Sequence, residues 1–299
     1  MKKIGIEDKV IFDKYRLPDI INSEYQFTTI FAWAHRYNFC YIENESVLYV
    51  FGNQNNGNLQ CYFPIGEKSI EDKLEFLKKI FRENMCPINI RPLSKAMLEQ
   101  IKPFLGANFA IGTKESYRDY ICDYSLLLEY KGSGYKKKRK LTKAFFSRYN
   151  YEYFPICKTN IESIKDAMHS ILYDAGCTVD VDEWTAYKRI LDNYVSLGLR
   201  GGYIVIDGII EAIAIAESCF DTIYVHVRRC NKKFVGIYPA MLQLLMKNEF
   251  VDRKYKYVNL QDDMGIENLR KAKLSYKPIL LFEKYFIQEK VDDYGNAGG

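Results

Sequence analysis

The stretch Asn259-Leu-Gln-Asp-Asp-Met-Gly-Ile-Glu-Asn-Leu-Arg-Lys-Ala-Lys-Leu-Ser-Tyr-Lys-Pro278 reads as a strand end, an acidic turn and a short helix. At about 100° per residue, Ile266, Leu269, Lys273 and Tyr276 share one stripe of that helix, with Lys273 near its middle. A lysine on the core face of a helix snorkels, pairs with a carboxylate, or lines a cavity that holds an anion. The third outcome would make this segment the wall of an active site. Asp262 and Asp263 precede the helix and point in opposite directions, so at most one faces a cleft. Two readings are open for them: an aspartate caps the helix, or a carboxylate there accepts a proton while Lys273 neutralises developing charge.

Upstream of this stretch, Gly202–Ile206, Ile209–Ala216 and Thr222–Arg228 alternate as strands of a meander, turned at Asp207-Gly208 and near Cys219–Asp221. Helices are expected at Tyr135–Arg148, Ile161–Tyr173, Val181–Leu197 and Pro239–Phe250. Tyr151–Pro155 and Tyr255–Leu260 are expected as strands, and Ile279–Ile287 as a final one. The first half repeats this order. Residues from about 20 to 37 read as helical, on Ser23–Trp33. The strands Phe39–Glu43, Val47–Phe51 and Leu59–Phe63 follow, and Ser69 with Asp72 opens a capped helix. Pro87–Arg91 is a strand, Ala96–Ile101 a helix, and Asp119–Leu128 an extended segment. The order of elements repeats although the residues do not. A mixed sheet flanked by helices, occurring twice, is an α/β (α+β) arrangement. The flexible Gly132-Ser-Gly134 break suggests domains at 1–130 and 131–299.

Composition narrows the class. With 299 residues the chain is long enough for two domains, and 48% hydrophobic with 27% charged residues is ordinary for a globular protein. A net charge of +5 does not by itself imply nucleic acid. Eight cysteines without a CxxC pair, and no apolar leader after Met1, point to reduced thiols in the cytoplasm. Three histidines with no ligand spacing argue against a metal site. The Asn296–Gly299 tail is expected to be disordered.

Three further features invite a functional reading. Lys136, Lys137, Lys138, Arg139 and Lys140 open a helix, either as a solvated face or as a phosphate-binding face for a tRNA acceptor arm or another polyanion. Glu217 ends an apolar strand, as a rim glutamate or a general base. Strand alternation puts His226 on one face with Tyr224 and Arg228, lining a cleft or satisfied in the core.

The order meander, helix, strand, helix, strand resembles the GNAT acyltransferase fold, in which a helix N-terminus holds the donor pyrophosphate. The equivalent turn here is Asn231-Lys-Lys-Phe-Val-Gly-Ile-Tyr-Pro239. Lys232, Lys233 and Gly236 fit a phosphate loop, while Tyr238 replaces the second small residue and would crowd the phosphate. Tyr117-Arg-Asp-Tyr-Ile-Cys-Asp123, Gly134-Tyr-Lys-Lys-Lys-Arg139 and Gly265–Pro278 resemble the phosphatidylglycerol lysyltransferase C-terminal-like family. The last of these also resembles the Phe-Lys-x-x-Phe element of Fem-type aminoacyltransferases. On that comparison Lys273 is the shared lysine, Tyr276 the aromatic and Pro278 the proline. Ala272 stands where an aromatic is usual, and Leu260 and Gln261 depart from the relatives' Asn-Arg-Glu-x-Asp turn.

The resemblance implies two tandem GNAT-like domains and a transferase. The donor would be acyl-CoA or aminoacyl-tRNA, and the acceptor an amine or hydroxyl on a small molecule or peptide. Lys273 would stabilise negative charge, with Asp262, Asp263 or Glu217 as base. A lipid acceptor is less expected, because no membrane-spanning segment is present. The alternative from another class is a non-catalytic module that binds tRNA or a nucleotide through a degenerate donor site.

Overall fold

The computed structural model describes residues 1–54, 56–174, 180–251 and 255–290. Cys177 and the Asn296–Gly299 tail lie outside them. The chain forms two compact units. One comprises Met1–Leu17, Trp33–Tyr117 and the segment from Glu283; the other comprises Pro18–Ala32 and Arg118–Phe282. The Gly132-Ser-Gly134 break lies inside the second unit.

The elements of the second unit are labelled in chain order. Strand β1 (Asp119–Asp123) leads into α1 (Tyr124–Glu129), and α2 (Lys136–Arg148) precedes β2 (Tyr151–Pro155). Helices α3 (Ile161–Asp174) and α4 (Val181–Asp192) follow. The meander is β3 (Arg200–Ile206), β4 (Ile209–Cys219) and β5 (Thr222–Cys230). Helix α5 (Ile237–Glu249), β6 (Tyr257–Asn259), α6 (Glu267–Leu274) and β7 (Leu280–Phe282) complete the unit. The β3–β4 turn takes positive φ at Asp207 and Gly208, as a two-residue hairpin of this twist requires.

The sheet of this unit runs β7-β1-β6-β5-β4-β3-β2. All of its pairings are antiparallel except β5 with β6. In the first unit the order is Lys2–Lys3, Cys40–Asn44, Val47–Asn53, Leu59–Cys61, Asn89–Leu93, Tyr285–Glu289 and Phe109–Thr113. There too the fourth strand runs parallel to the fifth, through Cys61 and Ile90. Each sheet therefore has the same spatial order, and each fills its sixth position with a strand from the other half of the sequence. Both are mixed sheets flanked by helices, as two tandem GNAT-like domains require.

Two sequence expectations change here. Asp119–Leu128 is not extended throughout. The Asp123 side chain accepts the Leu126 amide at 2.9 Å and starts α1, which stops at the left-handed Tyr130. Ile279–Ile287 is not one strand either. Leu280–Phe282 pairs with β1, whereas Tyr285–Glu289 joins the other sheet. A period of two is the same on both sides of that break, so alternation alone cannot reveal it.

The core of the second unit lies between the sheet and helices α1, α2 and α5. Ala212, Ala214 and Ala216 on β4 and Ile223, Val225 and Cys230 on β5 face it. Small β4 residues let α5 approach closely through Ala240, Met241 and Leu245. Among the described residues no helix is long and apolar enough to cross a membrane.

Candidate active site where two parallel strands part

The ladder between β5 and β6 covers only Thr222–Tyr224 and Tyr257–Asn259. Strand β5 then continues to Cys230, paired on its other side with β4 alone. At this parting β5 carries a register shift. Ala216 opposes Val225 and Ile215 opposes Val227, which leaves His226 as the extra residue. The bulge reverses the alternation. Arg228 opposes Ala214 and faces the helix-covered core, whereas Glu217 opposes Tyr224 on the other face and meets His226. The expected grouping of His226 with Arg228 is thus wrong, and the bulge is the reason.

On the helix-covered side, two cations converge on Tyr276. The Lys138 Nζ lies 3.6 Å from the ring centroid and the Arg228 guanidinium 4.9 Å from it. Arg228 also lies 5.9 Å from the Tyr238 ring. One guanidinium nitrogen, Nη1, is buried without a hydrogen-bond partner. Tyr276, Cys230, Tyr130 and Tyr238 act most strongly on Arg228, Lys138 lies beside it, and among the described residues no carboxylate pairs with it. Its neighbour Arg229 differs: it sits on the opposite face, pairs with Glu183 and stacks on Tyr187. Burial, with Arg228 and Lys137 nearby, lowers the Lys138 ammonium to about 7. Burial pushes the Tyr276 hydroxyl up.

On the other side a buried line of polar groups runs along the parting. Glu217 Oε1 lies 2.8 Å from His226 Nε2, both side chains being almost fully enclosed (4% and 3% exposed). The other ring nitrogen, Nδ1, lies 3.0 Å from the Gln261 carboxamide nitrogen. The Gln261 amide donates to Asn259 Oδ1 at 2.7 Å, and Asn259 donates to Asp119 at 2.8 Å. Asp119 also accepts the Ser23 amide and hydroxyl. That line fastens β1, β6 and the Pro18–Ala32 segment together.

The acidic turn is built for structure. Gln261, Met264 and Gly265 all take left-handed φ. Asp263 is fully buried and accepts Tyr120 Oη (2.5 Å), Arg270 Nε (2.8 Å) and the Gly265 amide (2.8 Å). Burial alone would raise its carboxyl, but the bonds from Arg270, Tyr120 and Gly265 outweigh it and hold the group below the usual carboxylate range. Burial and Asp263 push the Tyr120 hydroxyl up to about 12. Lys273 is buried, as the stripe implies, and its ammonium donates to the Asp262 carbonyl. Ile266 leaves the stripe, 51% exposed, because it is the extended cap residue before α6.

The remaining candidates divide. Lys136, Lys137 and Lys140 are exposed on α2. Arg139 instead donates to the Tyr130 and Gly132 carbonyls, closing the end of α1. Lys232 and Lys233 are exposed before α5. Gly236 caps α5 at φ +88°, where a Cβ would lie 2.2 Å from the Leu141 carbonyl oxygen, so only glycine fits. Most amides of this turn are engaged. Lys233 donates to Asn231 Oδ1, Phe234 to Asn231 O, Val235 to Tyr149 Oη and Ile237 to Phe234 O.

A meander whose fourth strand parts from a parallel fifth, with a helix opening beside the gap, is the architecture of GNAT-like domains, and the strand order that carries it occurs here twice. The chain belongs to the phosphatidylglycerol lysyltransferase C-terminal family, whose model matches residues 16–288. A conserved protein of unknown function from Bacteroides thetaiotaomicron VPI-5482 is 25% identical with a TM-score of 0.91, over 97% of this chain and 99% of that one. The structure of L-PGS from Bacillus licheniformis is 13% identical with a TM-score of 0.67, over 98% of this chain and 94% of that one. FemX is 10% identical with a TM-score of 0.60, over 97% of this chain and 96% of that one. The last two likenesses are of fold. No curated protein matches the sequence.

Proposed function

We propose that this protein is a transferase that moves an acyl or aminoacyl group from a thioester or tRNA ester to an amine or hydroxyl. The observation that carries the reading is the Arg228–Lys138 pair around Tyr276. A guanidinium enclosed without a carboxylate is costly unless an anion joins it. Beside a strand parting, that anion is a donor phosphate or the oxyanion of the reacting carbonyl. Lys273 adds a third cation on the same helix-turn segment as Tyr276, in keeping with the resemblance. Asp263 is fully committed to Arg270 and Tyr120, which leaves Glu217 and Asp262 as the carboxylates of the base assignment.

Within this reading, aminoacyl-tRNA is favoured over acyl-CoA as donor. The engaged amides before α5, together with Tyr238, leave little of a pyrophosphate cradle. Exposed Lys136, Lys137 and Lys140 suit a polynucleotide backbone. A charged-tRNA donor would keep the reaction in the cytoplasm. The same degenerate turn also supports the second reading, a module that binds tRNA without chemistry.

A panel of aminoacylated tRNA, uncharged tRNA, coenzyme A and acyl-CoA, read by thermal shift and by transfer to amine acceptors, tests the proposal. Charged tRNA is expected to raise Tm and to donate its aminoacyl group. Arg228→Met should abolish both effects and leave the free protein as stable or more so, since a lone buried charge is removed. An Arg228→Met protein that transfers like wild type would sink the reading. Salt-sensitive tRNA binding with no transfer from any donor would establish the module instead.

A further inference from the structure

Of the two carboxylates left for the base assignment, Glu217 lies 2.8 Å from the His226 ring. A carboxylate against Nε2 places the ring proton on that nitrogen. The Gln261 carboxamide nitrogen is a donor, so Nδ1 presents its lone pair to it. The imidazole therefore carries one basic nitrogen, oriented from behind by a buried carboxylate and covered in front by a single side-chain amide. Gln261 is held by its backbone: its amide donates to Asn259 and its carbonyl accepts the Tyr120 amide at 3.3 Å. A change of side-chain torsion can move the carboxamide while those bonds stay.

We propose that His226 is the proton acceptor of the transfer, with Glu217 as its positioning residue and Gln261 holding the place of the incoming nucleophile. This rests on the transferase reading. His226 and Arg228 are two residues apart on β5, on opposite faces, along the stretch where β6 no longer covers the strand. A donor anchored at Arg228 and an acceptor arriving at His226 would meet in the gap. As the acceptor nitrogen or oxygen bonds to the donor carbonyl carbon, its proton passes to Nδ1, and Glu217 stabilises the imidazolium. Collapse of the tetrahedral intermediate breaks the carbon–oxygen bond of the tRNA ester (the carbon–sulfur bond of a thioester). The proton then passes from Nδ1 to the leaving atom, so none is gained or lost overall.

The chain has three histidines, so 15N-histidine NMR with His35 and His169 variants assigns His226 directly. The expected resting state is Nε2 protonated and Nδ1 bare, with that preference lost in Glu217→Gln. In the transfer assay His226→Gln should lower kcat by about 100-fold or more while KM stays within about threefold. Imidazole added to His226→Gly should restore rate in proportion to its concentration. Glu217→Gln should lower kcat likewise and serves if His226→Gln fails to fold. A protonated Nδ1 in the resting protein, or a His226→Gln enzyme within about threefold of wild-type kcat, overturns the role. Wild-type protein silent towards every donor brings down the transferase reading and the role with it, whereas active wild type with an insensitive His226→Gln brings down the role alone.

Discussion

The two sheets place their strands in the same order, yet their fourth strands differ. In the first unit that strand is Leu59–Cys61, three residues long, and it touches the parallel fifth strand only at Cys61 and Ile90, both fully buried. Its counterpart β5 is nine residues long, bulged at His226, and runs past the end of β6. The extra length carries His226 and Arg228 into the parting. The short strand offers an apolar pair at the same topological position. One architecture thus serves in one unit as a packed core and in the other as a place where polar groups converge. The bulge makes that difference, because it sends two side chains of one strand to opposite faces.

If the parting in the second unit is held open by its acidic turn, the largest loss should come from removing Asp263. Asp263→Ala strands Arg270 and the Tyr120 hydroxyl, and should cost about 3–5 kcal/mol in denaturant unfolding. The pH dependence has a definite sign. A carboxyl held below its unfolded value of 3.8 stabilises fully above that value, and its contribution fades as pH falls below it. Asp263→Asn should therefore lose less stability than wild type on acidification below about pH 4. A flat difference across that range would mean that the turn is not held by this carboxylate. The matching intervention in the first unit is Ile90→Ala, expected to cost about 2–5 kcal/mol through its cavity. It should leave anion affinity unchanged. A loss of anion binding in Ile90→Ala would show that the first sheet contributes chemistry as well as packing.

How much of this could be read from the chain depends on what each feature asks of the sequence. The meander, the Ser69 cap and most helices have period and capping signals and appear close to the expected bounds, but the helix expected over Val181–Leu197 ends at Asp192 and the one expected from about residue 20 starts at Phe27. Lys273 and Tyr276 on one buried stripe follow from helical spacing alone. The exchange of strands between the sheets leaves no local trace, since Tyr285–Glu289 looks like any other strand. The bulge at His226 is likewise silent: it involves no glycine and only a one-residue slip against Ile215 and Ala216. Without it, alternation merges His226 with Arg228 and hides the division of faces. Lys138 was visible as one of five adjacent cations, but which of them turns inward is decided by the phase of α2 against Tyr276. Arg228 did carry a signal, as a charge within an apolar strand.

The smallest expected effect is also the one that separates the two faces of the second sheet most directly. Lys138 has a folded pKa of about 7 against 10.5 for a free lysine. Between those values the native protein holds fewer protons than the unfolded chain, so this group makes stability rise as pH increases through that window. An anion settling beside Arg228 would draw the proton back onto Lys138. Anion affinity should then fall as pH rises through about 7, with uptake of a fraction of a proton per site. Sulfate is a suitable probe because its own charge is constant there. Calorimetric titrations in buffers of different ionisation enthalpy read the proton directly. Lys138→Met should abolish the uptake, while His226→Gln, on the opposite face, should leave it intact. If His226→Gln removed it and Lys138→Met did not, the anion would belong with the imidazole, and the assignment of charge to one face and proton transfer to the other would have to be reversed.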